Sequence, residues 1–278
     1  MSATLTLLSP AKLNLFLHIT GRRPDGYHEL QTLFQLLDWG DWLSFTPNQD
    51  GRITLDCAGL DVPLEDNLIY RAATMLRSGS LGVHITVDKR IPCGGGLGGG
   101  SSNAATTLLA LNKLWRLAYS REKLLGIGAS LGADVPVFVG GHTAWAEGIG
   151  EILTPLPYVP RSYAVIFPGV ALATGPMFAD PALRRDCAPI DPRDYCDELQ
   201  GDNVFSVLAE REPAVRAAMD WLRQRVGSAH LSGSGSAVYA QTPDLDSARR
   251  AVEGLPQGWI GRAASSITNW FDNISPGT

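Results

Sequence analysis

The segment that decides the fold is Pro92-Cys93-Gly94-Gly95-Gly96-Leu97-Gly98-Gly99-Gly100-Ser101-Ser102-Asn103. Six of the seven residues from 94 to 100 are glycine, so this run offers backbone N–H groups that no side chain covers. An apolar pattern at helical spacing follows directly, and the N-terminus of a helix carries partial positive charge. Free amides and a helix N-terminus together favour a bound anion, most naturally a phosphate.

Both flanks of the glycine run are periodic. Apolar and polar residues alternate over residues 83–87, which predicts a strand with one buried face. Apolar residues recur at helical spacing over residues 104–115, which predicts a helix over residues 101–117 that Ser101 or Ser102 caps. The other interpretation, a flexible glycine linker, fits such regular flanks poorly.

Three common phosphate-binding loops do not fit. A Walker A loop would end in Gly-Lys-Ser/Thr, and no lysine follows Gly100. Gly94, Gly96 and Gly99 formally satisfy G-x-G-x-x-G. However, a second helical stretch over residues 121–131 stands where a dinucleotide-binding fold would return to a parallel strand. The H-R-D and D-F-G tripeptides of protein kinases do not occur in the chain.

Five segments, in order along the chain, resemble the superfamily of galactokinase, homoserine kinase, mevalonate kinase and phosphomevalonate kinase (GHMP kinases). They are residues 10–15, 23–28, 92–103, 132–136 and 231–235. Residues 10–15 and the Tyr27-His28 turn are similar to the family of 4-diphosphocytidyl-2-C-methyl-D-erythritol kinases within it. This resemblance implies transfer of the ATP γ-phosphate to the 2-hydroxyl of that cytidine diphosphate substrate. Another small-alcohol kinase, of homoserine or mevalonate type, and a catalytically silent nucleotide-binding module are the alternatives.

The resemblance also implies an α+β fold of two GHMP kinase domains. The N-terminal, ATP-binding domain (residues 1–156) would be ribosomal protein S5 domain 2-like, and the C-terminal domain (residues 157–278) ferredoxin-like. Three prolines within residues 154–160 make a continuous element there improbable, so we place the boundary in that stretch. The patterns predict strands over 13–19 and 30–39, helices over 67–77, 204–209, 214–226 and 245–253, a strand pair around 232–236 and a last strand.

Lys12 and Asp134 are the predicted catalytic residues. Period two puts Lys12 and Asn14 on one side of a strand, roughly 7 Å apart. Taken alone, Lys12 fits an edge-strand lysine that reaches solvent, and Asp134 fits a helix N-cap. By resemblance, Asp134 is the general base for the substrate hydroxyl, and Lys12 lies beside both groups.

The resemblance assigns the remaining substrate contacts to Asn14, Tyr27, His28, Thr174, Phe178, Gly233 and Gly235. A cytosine needs an aromatic face and hydrogen-bonding groups at its edge, and a tyrosine next to a histidine offers both. Five of these residues also have a structural alternative. Tyr27 and His28 could simply pack at the base of a hairpin, and Phe178 could be an ordinary core aromatic residue. Gly233 and Gly235 could belong to a plain hairpin.

The ATP-binding residues implied by the resemblance are Pro92, Cys93, Gly94, Gly95, Gly96, Leu97, Gly98, Gly99, Gly100, Ser101, Ser102, Asn67 and Lys89. Asn67 also fits a helix cap, and Lys89 a surface charge at a strand end. Mg²⁺ should accompany ATP and neutralise the triphosphate. No protein cage for the ion is legible in the sequence, so ATP oxygens would hold it, with Ser102 as a candidate ligand.

Composition limits the remaining possibilities. The net charge of −5 and the absence of a basic stripe argue against a nucleic-acid partner. The four cysteines contain no C-x-x-C pair, as expected in a reducing compartment. No apolar stretch approaches the length of a membrane span, and no signal peptide is visible. We therefore expect a cytoplasmic enzyme, monomeric or weakly dimeric, whose partners are ATP and a small-molecule substrate.

Overall fold

The computed structural model describes residues 4–58, 62–77 and 79–271. Its strands are β1 (Leu5–Arg22), β2 (His28–Asn48), β3 (Ile53–Cys57), β4 (Gly82–Asp88), β5 (Ala144–Glu147), β6 (Ile152–Pro155), β7 (Ser162–Phe167), β8 (His230–Leu231), β9 (Val238–Thr242) and β10 (Ile260–Ile267). They form one sheet in the order β3-β4-β2-β10-β7-β9-β8. In addition, β1 pairs with β2, and β5 pairs with β2 and β6.

Helices cover the sheet in two groups. They are α1 (Leu68–Leu76), α2 (Gly99–Leu114), α3 (Arg121–Leu131), α4 (Val135–Gly140), α5 (Thr174–Ala179), α6 (Ser206–Ala209), α7 (Pro213–Val226) and α8 (Leu245–Ala251). The first four share a hydrophobic core with β2 and β4, and α6, α7 and α8 share a second core with β7 and β9. No helix within the described residues is both long and apolar enough to cross a membrane.

The last strand joins the two halves of the sheet. β10 pairs with β7 along most of its length, and its end pairs with β2 at Ser266 and Ile267. The predicted domain boundary lies between β6 and β7, where residues 156–161 form neither helix nor strand. The division of the chain at residue 156 stays a prediction.

β1 and β2 form the long antiparallel hairpin that carries Lys12. Register shifts between Pro10 and Lys12, and between Asn14 and Leu17, interrupt the pairing. Irregularities of this kind re-aim side chains and are common beside functional sites. Lys12 and Asn14 share one side of β1, as period two predicts, and are hydrogen-bonded to each other. Both faces of the strand are buried between residues 9 and 19, so this polar pair does not face solvent.

The regular elements agree with the sequence pattern, apart from their ends. Val83, Ile85 and Val87 of β4 are buried, as alternation predicts. The two long strands extend beyond residues 13–19 and 30–39, because pairing continues along the whole hairpin. Residues 232–236 form the connection between β8 and β9 rather than the strands themselves.

The predicted start and cap of the central helix were wrong. α2 begins at Gly99, inside the glycine run, and its N-cap is Gly98, which has no side chain with which to cap. Ser102 therefore falls in the first turn, where its hydroxyl bonds to Ser9 of β1 at 2.8 Å. The helix begins earlier than residue 101 because the backbone turns at Gly98, whose φ of +72° favours glycine.

Two glycine substitutions test the packing of this fold. A Cβ on Gly40 of β2 would lie 2.0 Å from the carbonyl oxygen of Ser9, so Gly40→Ala must distort the hairpin. We expect the free energy of unfolding to fall by more than about 2 kcal/mol. Gly126 is the control, because it is an exposed position of α3 with nothing within 4 Å of an added Cβ. Gly126→Ala should raise stability by up to about 1 kcal/mol. Urea unfolding measures both, and equal stabilities would contradict the described hairpin.

Candidate active site

The glycine run forms a tight loop between β4 and α2. Neighbouring residues leave no room there for side chains, which is why glycine is needed. A Cβ on Gly96 would lie 2.1 Å from the carbonyl oxygen of Ser232, and one on Gly98 would lie 2.8 Å from Phe138. Both glycines also have φ of +72°. Successive amides in such conformations form a concave anion-binding surface. α2, with 16 residues, adds the positive end of its dipole to the same place.

The glycine-loop cleft is a cavity of about 360 Å³ beside this loop. Its lining residues are Cys57, Val62, Asp66, Asn67, Leu68, Ile69, Lys89, Pro92, Cys93, Gly94, Gly95, Gly96, Leu97, Gly98, Gly99, Gly100, Ser101 and Asn103. All but one of the predicted ATP-binding residues are among them. The exception is Ser102, which is fully buried and bonds to Ser9.

Asn67 and Lys89 line the cleft and also have structural roles. The Asn67 side chain accepts a hydrogen bond from the amide of Ile69 at 2.9 Å, which caps α1. Lys89 Nζ donates to a carboxylate oxygen of Asp41 at 2.7 Å and to the carbonyl of Ile91 at 2.8 Å. Lys89 is therefore held by an ion pair and is not a free surface charge.

Asp41 connects both ends of the glycine segment and is fully buried. Besides Lys89, it accepts hydrogen bonds from the amides of Arg90 and Ile91 before the loop. It also accepts one from the Asn103 side chain on α2 at 3.0 Å. A buried carboxylate needs such a set of donors. Asp41 was not predicted from the sequence, because a lone aspartate in a strand gives no signal of the partners that the fold brings to it.

Lys12 and Asp134 meet although they lie far apart in the sequence. The distance from Lys12 Nζ to Asp134 Oδ2 is 3.5 Å. The lysine side chain is 4% exposed, so it does not reach solvent as an ordinary edge-strand lysine would. Asp134 precedes α4 but caps no amide with its side chain, which is 35% exposed. The carboxylate thus stays accessible to a ligand, and the ammonium group lies buried next to it.

A chain of hydrogen bonds holds the Lys12 side chain in place. Its Nζ donates to Asn14 Oδ1 at 2.5 Å, and Asn14 Nδ2 donates to Thr32 Oγ1 at 2.9 Å. Thr32 in turn donates to the carbonyl of Phe16. The backbone amide of Lys12 donates to the carbonyl of Leu97 in the glycine loop at 3.0 Å. The ammonium group is therefore positioned by β1, β2 and the loop together.

The central cavity, of about 250 Å³, surrounds the Lys12–Asp134 pair. Its lining includes Lys12, Asn14, Thr32, Phe34, Gly96, Ala133, Asp134, Thr174, Phe178 and Gly233. Gly96 also lines the glycine-loop cleft, so the two cavities are neighbours. The predicted catalytic residues consequently lie in a cavity directly next to the glycine-loop cleft.

The aromatic pocket, of about 490 Å³, adjoins the central cavity, with which it shares Thr174 and Phe178, and has no lining residue in common with the glycine-loop cleft. The rings of His28 and Phe178 stack with centroids 5.1 Å apart. Tyr27, also a lining residue, is 61% exposed. Burial, and then the positive charges of Arg185 and Arg22, lower the pKa of His28. All three predicted aromatic contacts therefore line one pocket, and its histidine favours the neutral form.

The second glycine loop, residues 232–236, is bonded to the first. Ser232 Oγ donates to the carbonyl of Gly96 at 3.0 Å and accepts from the amide of Asn14 at 3.3 Å. Gly233 lines the central cavity, and a Cβ on it would lie 3.0 Å from the Asn14 side chain. Gly235 lines none of the three cavities; its backbone lies beside Gly96, and a Cβ on it would lie 3.0 Å from Leu231. Both loops thus contribute to the walls around Lys12.

Comparison with known proteins shows which family this chain is similar to. The family profiles described as GHMP kinases N terminal domain and GHMP kinases C terminal match residues 67–142 and 191–261. The 4-diphosphocytidyl-2-C-methyl-D-erythritol kinase of Hahella chejuensis is 49% identical over 95% of this chain and 94% of its own length. The chain belongs to the 4-diphosphocytidyl-2-C-methyl-D-erythritol kinase family of GHMP kinases.

Two further comparisons agree with this membership. The enzyme of the same name from Pseudomonas savastanoi pv. phaseolicola is 51% identical over 94% of this chain and 92% of its own. A crystal structure of a 4-(cytidine 5'-diphospho)-2C-methyl-D-erythritol kinase superposes with a TM-score of 0.81 at 37% identity, covering 94% of this chain and 99% of that one. The predicted GHMP kinase fold class is confirmed.

The contact between the two loops can be tested at Gly96. An added methyl group would meet the carbonyl of Ser232, so we expect Gly96→Ala to lower stability by more than about 2 kcal/mol and to weaken nucleotide binding. The matched control is Gly100→Ala, since an added Cβ there meets only Leu68 at 3.8 Å. Thermal melts with and without ATP measure both effects. A Gly96→Ala variant as stable as the Gly100→Ala variant would refute the contact.

Proposed function

We propose that this chain is an ATP-dependent kinase that phosphorylates the 2-hydroxyl of 4-diphosphocytidyl-2-C-methyl-D-erythritol, a step of the non-mevalonate isoprenoid pathway. The observation that carries the proposal is the order of the three cavities. The glycine-loop cleft and the aromatic pocket flank a central cavity that contains Lys12 and Asp134 only 3.5 Å apart. A phosphate donor and a pyrimidine-bearing acceptor can therefore approach that pair from two separate cavities.

ATP would bind in the glycine-loop cleft. The amides of the loop and the N-terminus of α2 attract the phosphates, and the shared lining at Gly96 directs the terminal phosphate toward the central cavity. Phosphoryl transfer depends mainly on positioning and electrostatic stabilisation. Lys12, a buried cation held by Asn14, is suited to stabilise negative charge that develops on the transferred group.

Asp134 would act on the substrate hydroxyl. Its carboxylate is partly exposed and makes no capping bond, so it can accept the hydroxyl proton or orient the oxygen for in-line attack. The cytidine would occupy the aromatic pocket, where Tyr27 and Phe178 offer ring faces and His28 offers an edge contact. The methylerythritol group then extends past Thr174 toward Lys12.

Magnesium would enter as part of the ATP complex. Within the described part of the chain, no group of three or more His, Cys, Asp or Glu side chains could hold a metal ion. Ser102, the candidate ligand from the sequence, bonds to Ser9 and does not line the cleft. The phosphate oxygens of ATP would therefore supply most of the coordination. We also expect a cytoplasmic protein that is monomeric or weakly dimeric.

A coupled ADP-release assay tests the reaction. We expect turnover with magnesium, ATP and 4-diphosphocytidyl-2-C-methyl-D-erythritol, and none when homoserine or mevalonate replaces that substrate. Turnover of homoserine or mevalonate alone would overturn the substrate assignment. ATP binding without turnover of any of the three would instead favour a silent nucleotide-binding module.

The role of Asp134 has its own test. Asp134→Asn keeps the size of the side chain but removes the charge, so kcat should fall by roughly 100-fold or more while ATP affinity stays near that of wild type. Asp220→Asn is the control, because Asp220 is an exposed aspartate on α7 that pairs with Arg223. Steady-state kinetics and ATP titrations measure both variants. Full activity of the Asp134→Asn enzyme would exclude the proposed role.

A further inference from the structure

Arg185 lies behind the aromatic pocket and contacts two of its residues. Its Nη2 donates to the carbonyl oxygens of Phe178 at 2.7 Å and Asp180 at 2.8 Å, and its Nη1 donates to that of Leu183 at 2.9 Å. Three such bonds fix the plane of the guanidinium group. Its Nε–H then donates to Nε2 of His28 at 3.2 Å.

The direction of this last bond determines which nitrogen of His28 carries the proton. A guanidinium group has donors only, so Nε2 of His28 must provide the lone pair. A neutral imidazole with a bare Nε2 carries its proton on Nδ1. The lowered pKa of His28, which follows from burial and from the charges of Arg185 and Arg22, agrees with a neutral ring.

The Nδ1–H group of His28 is left for a ligand. In the described residues no side chain or carbonyl accepts a hydrogen bond from it, and His28 lines the aromatic pocket. Stacking on Phe178 restricts rotation of the ring, since the two ring planes are only 28° apart. The pocket thus presents a hydrogen-bond donor in a fixed orientation.

We propose that Arg185 is a positioning residue that holds His28 as an Nδ1–H donor and so selects cytosine over uracil. This inference rests on the proposed function and deepens it by naming the origin of base selectivity. The ring nitrogen N3 of cytosine accepts a hydrogen bond, whereas N3–H of uracil donates one. A fixed donor on His28 can therefore bond to N3 of cytosine, whereas with uracil two donors would face each other. Such a mismatch discriminates strongly between the two bases.

The state of His28 can be measured without any substrate. Nitrogen-15 chemical shifts and two-bond couplings distinguish the two neutral tautomers from the imidazolium. We expect the Nδ1–H form at neutral pH in the wild type, and a population of the Nε2–H form in Arg185→Met. The matched control is Arg184→Met, because this neighbouring arginine contacts Cys187 and Asp202 instead of His28. A wild-type spectrum dominated by Nε2–H or imidazolium would overturn the proposal.

Base selectivity is the second readout. We expect the ratio of kcat/KM for the cytidine substrate to that of its uridine counterpart to fall roughly 10- to 100-fold in Arg185→Met, with the change mainly in KM. Arg184→Met should keep the wild-type ratio. Arg185→Lys retains a hydrogen-bond donor, so its ratio should lie between that of Arg185→Met and that of the wild type. Equal losses for both substrates, with the tautomer unchanged, would mean that Arg185 is merely structural.

The two failures can be told apart. If the wild type phosphorylates neither substrate, the proposed function fails, while the spectra still decide whether Arg185 sets the His28 tautomer. If Arg185→Met does not fold, the wild-type spectrum and the selectivity of Arg185→Lys decide the matter. A wild type that turns over both substrates equally well refutes the selectivity, whatever the tautomer.

Discussion

The ion pair between Lys12 and Asp134 is the interaction on which this site depends. A lysine ammonium group that is removed from water needs partners, and Lys12 has the Asn14 side chain at 2.5 Å and the Asp134 carboxylate at 3.5 Å. The pair joins β1 to the start of α4, elements that are distant in sequence. The fold thereby brings a fixed positive charge and an accessible carboxylate to the point where the phosphate-binding loop ends.

Glycine makes this closeness possible. Two loops from opposite halves of the chain approach each other so tightly that the Gly96 and Ser232 backbones leave no space for a side chain. Hydrogen bonds from Ser232 to Gly96 and from Asn14 to Ser232 connect both loops to β1. The buried carboxylate of Asp41 performs a similar task at the outer ends of the first loop. Polar networks of this type stabilise one arrangement of the site only when all their members are paired.

The sequence predicted much of this molecule, because its strongest signals are local. Alternation over residues 83–87 and the glycine run do not depend on distant partners, so the strand, loop and helix follow from them. The start of α2 and the capping serines were mispredicted, since the turn at Gly98 starts the helix at Gly99, two residues before the predicted start, and leaves Ser102 bonded to Ser9 of β1. The candidate site required the family resemblance, because Lys12 and Asp134 taken alone fit ordinary structural roles. Asp41 and Arg185 gave no signal at all, as their partners come from other elements.

A double-mutant cycle on kcat tests most directly whether Lys12 and Asp134 act as one unit. Lys12→Met, Asp134→Asn and the double variant would be compared with the wild type under saturating ATP and substrate. If both groups stabilise the same transition state, the double variant should be about as slow as the slower single variant. Losses that multiply across the two substitutions would show that the groups act independently and would contradict this account.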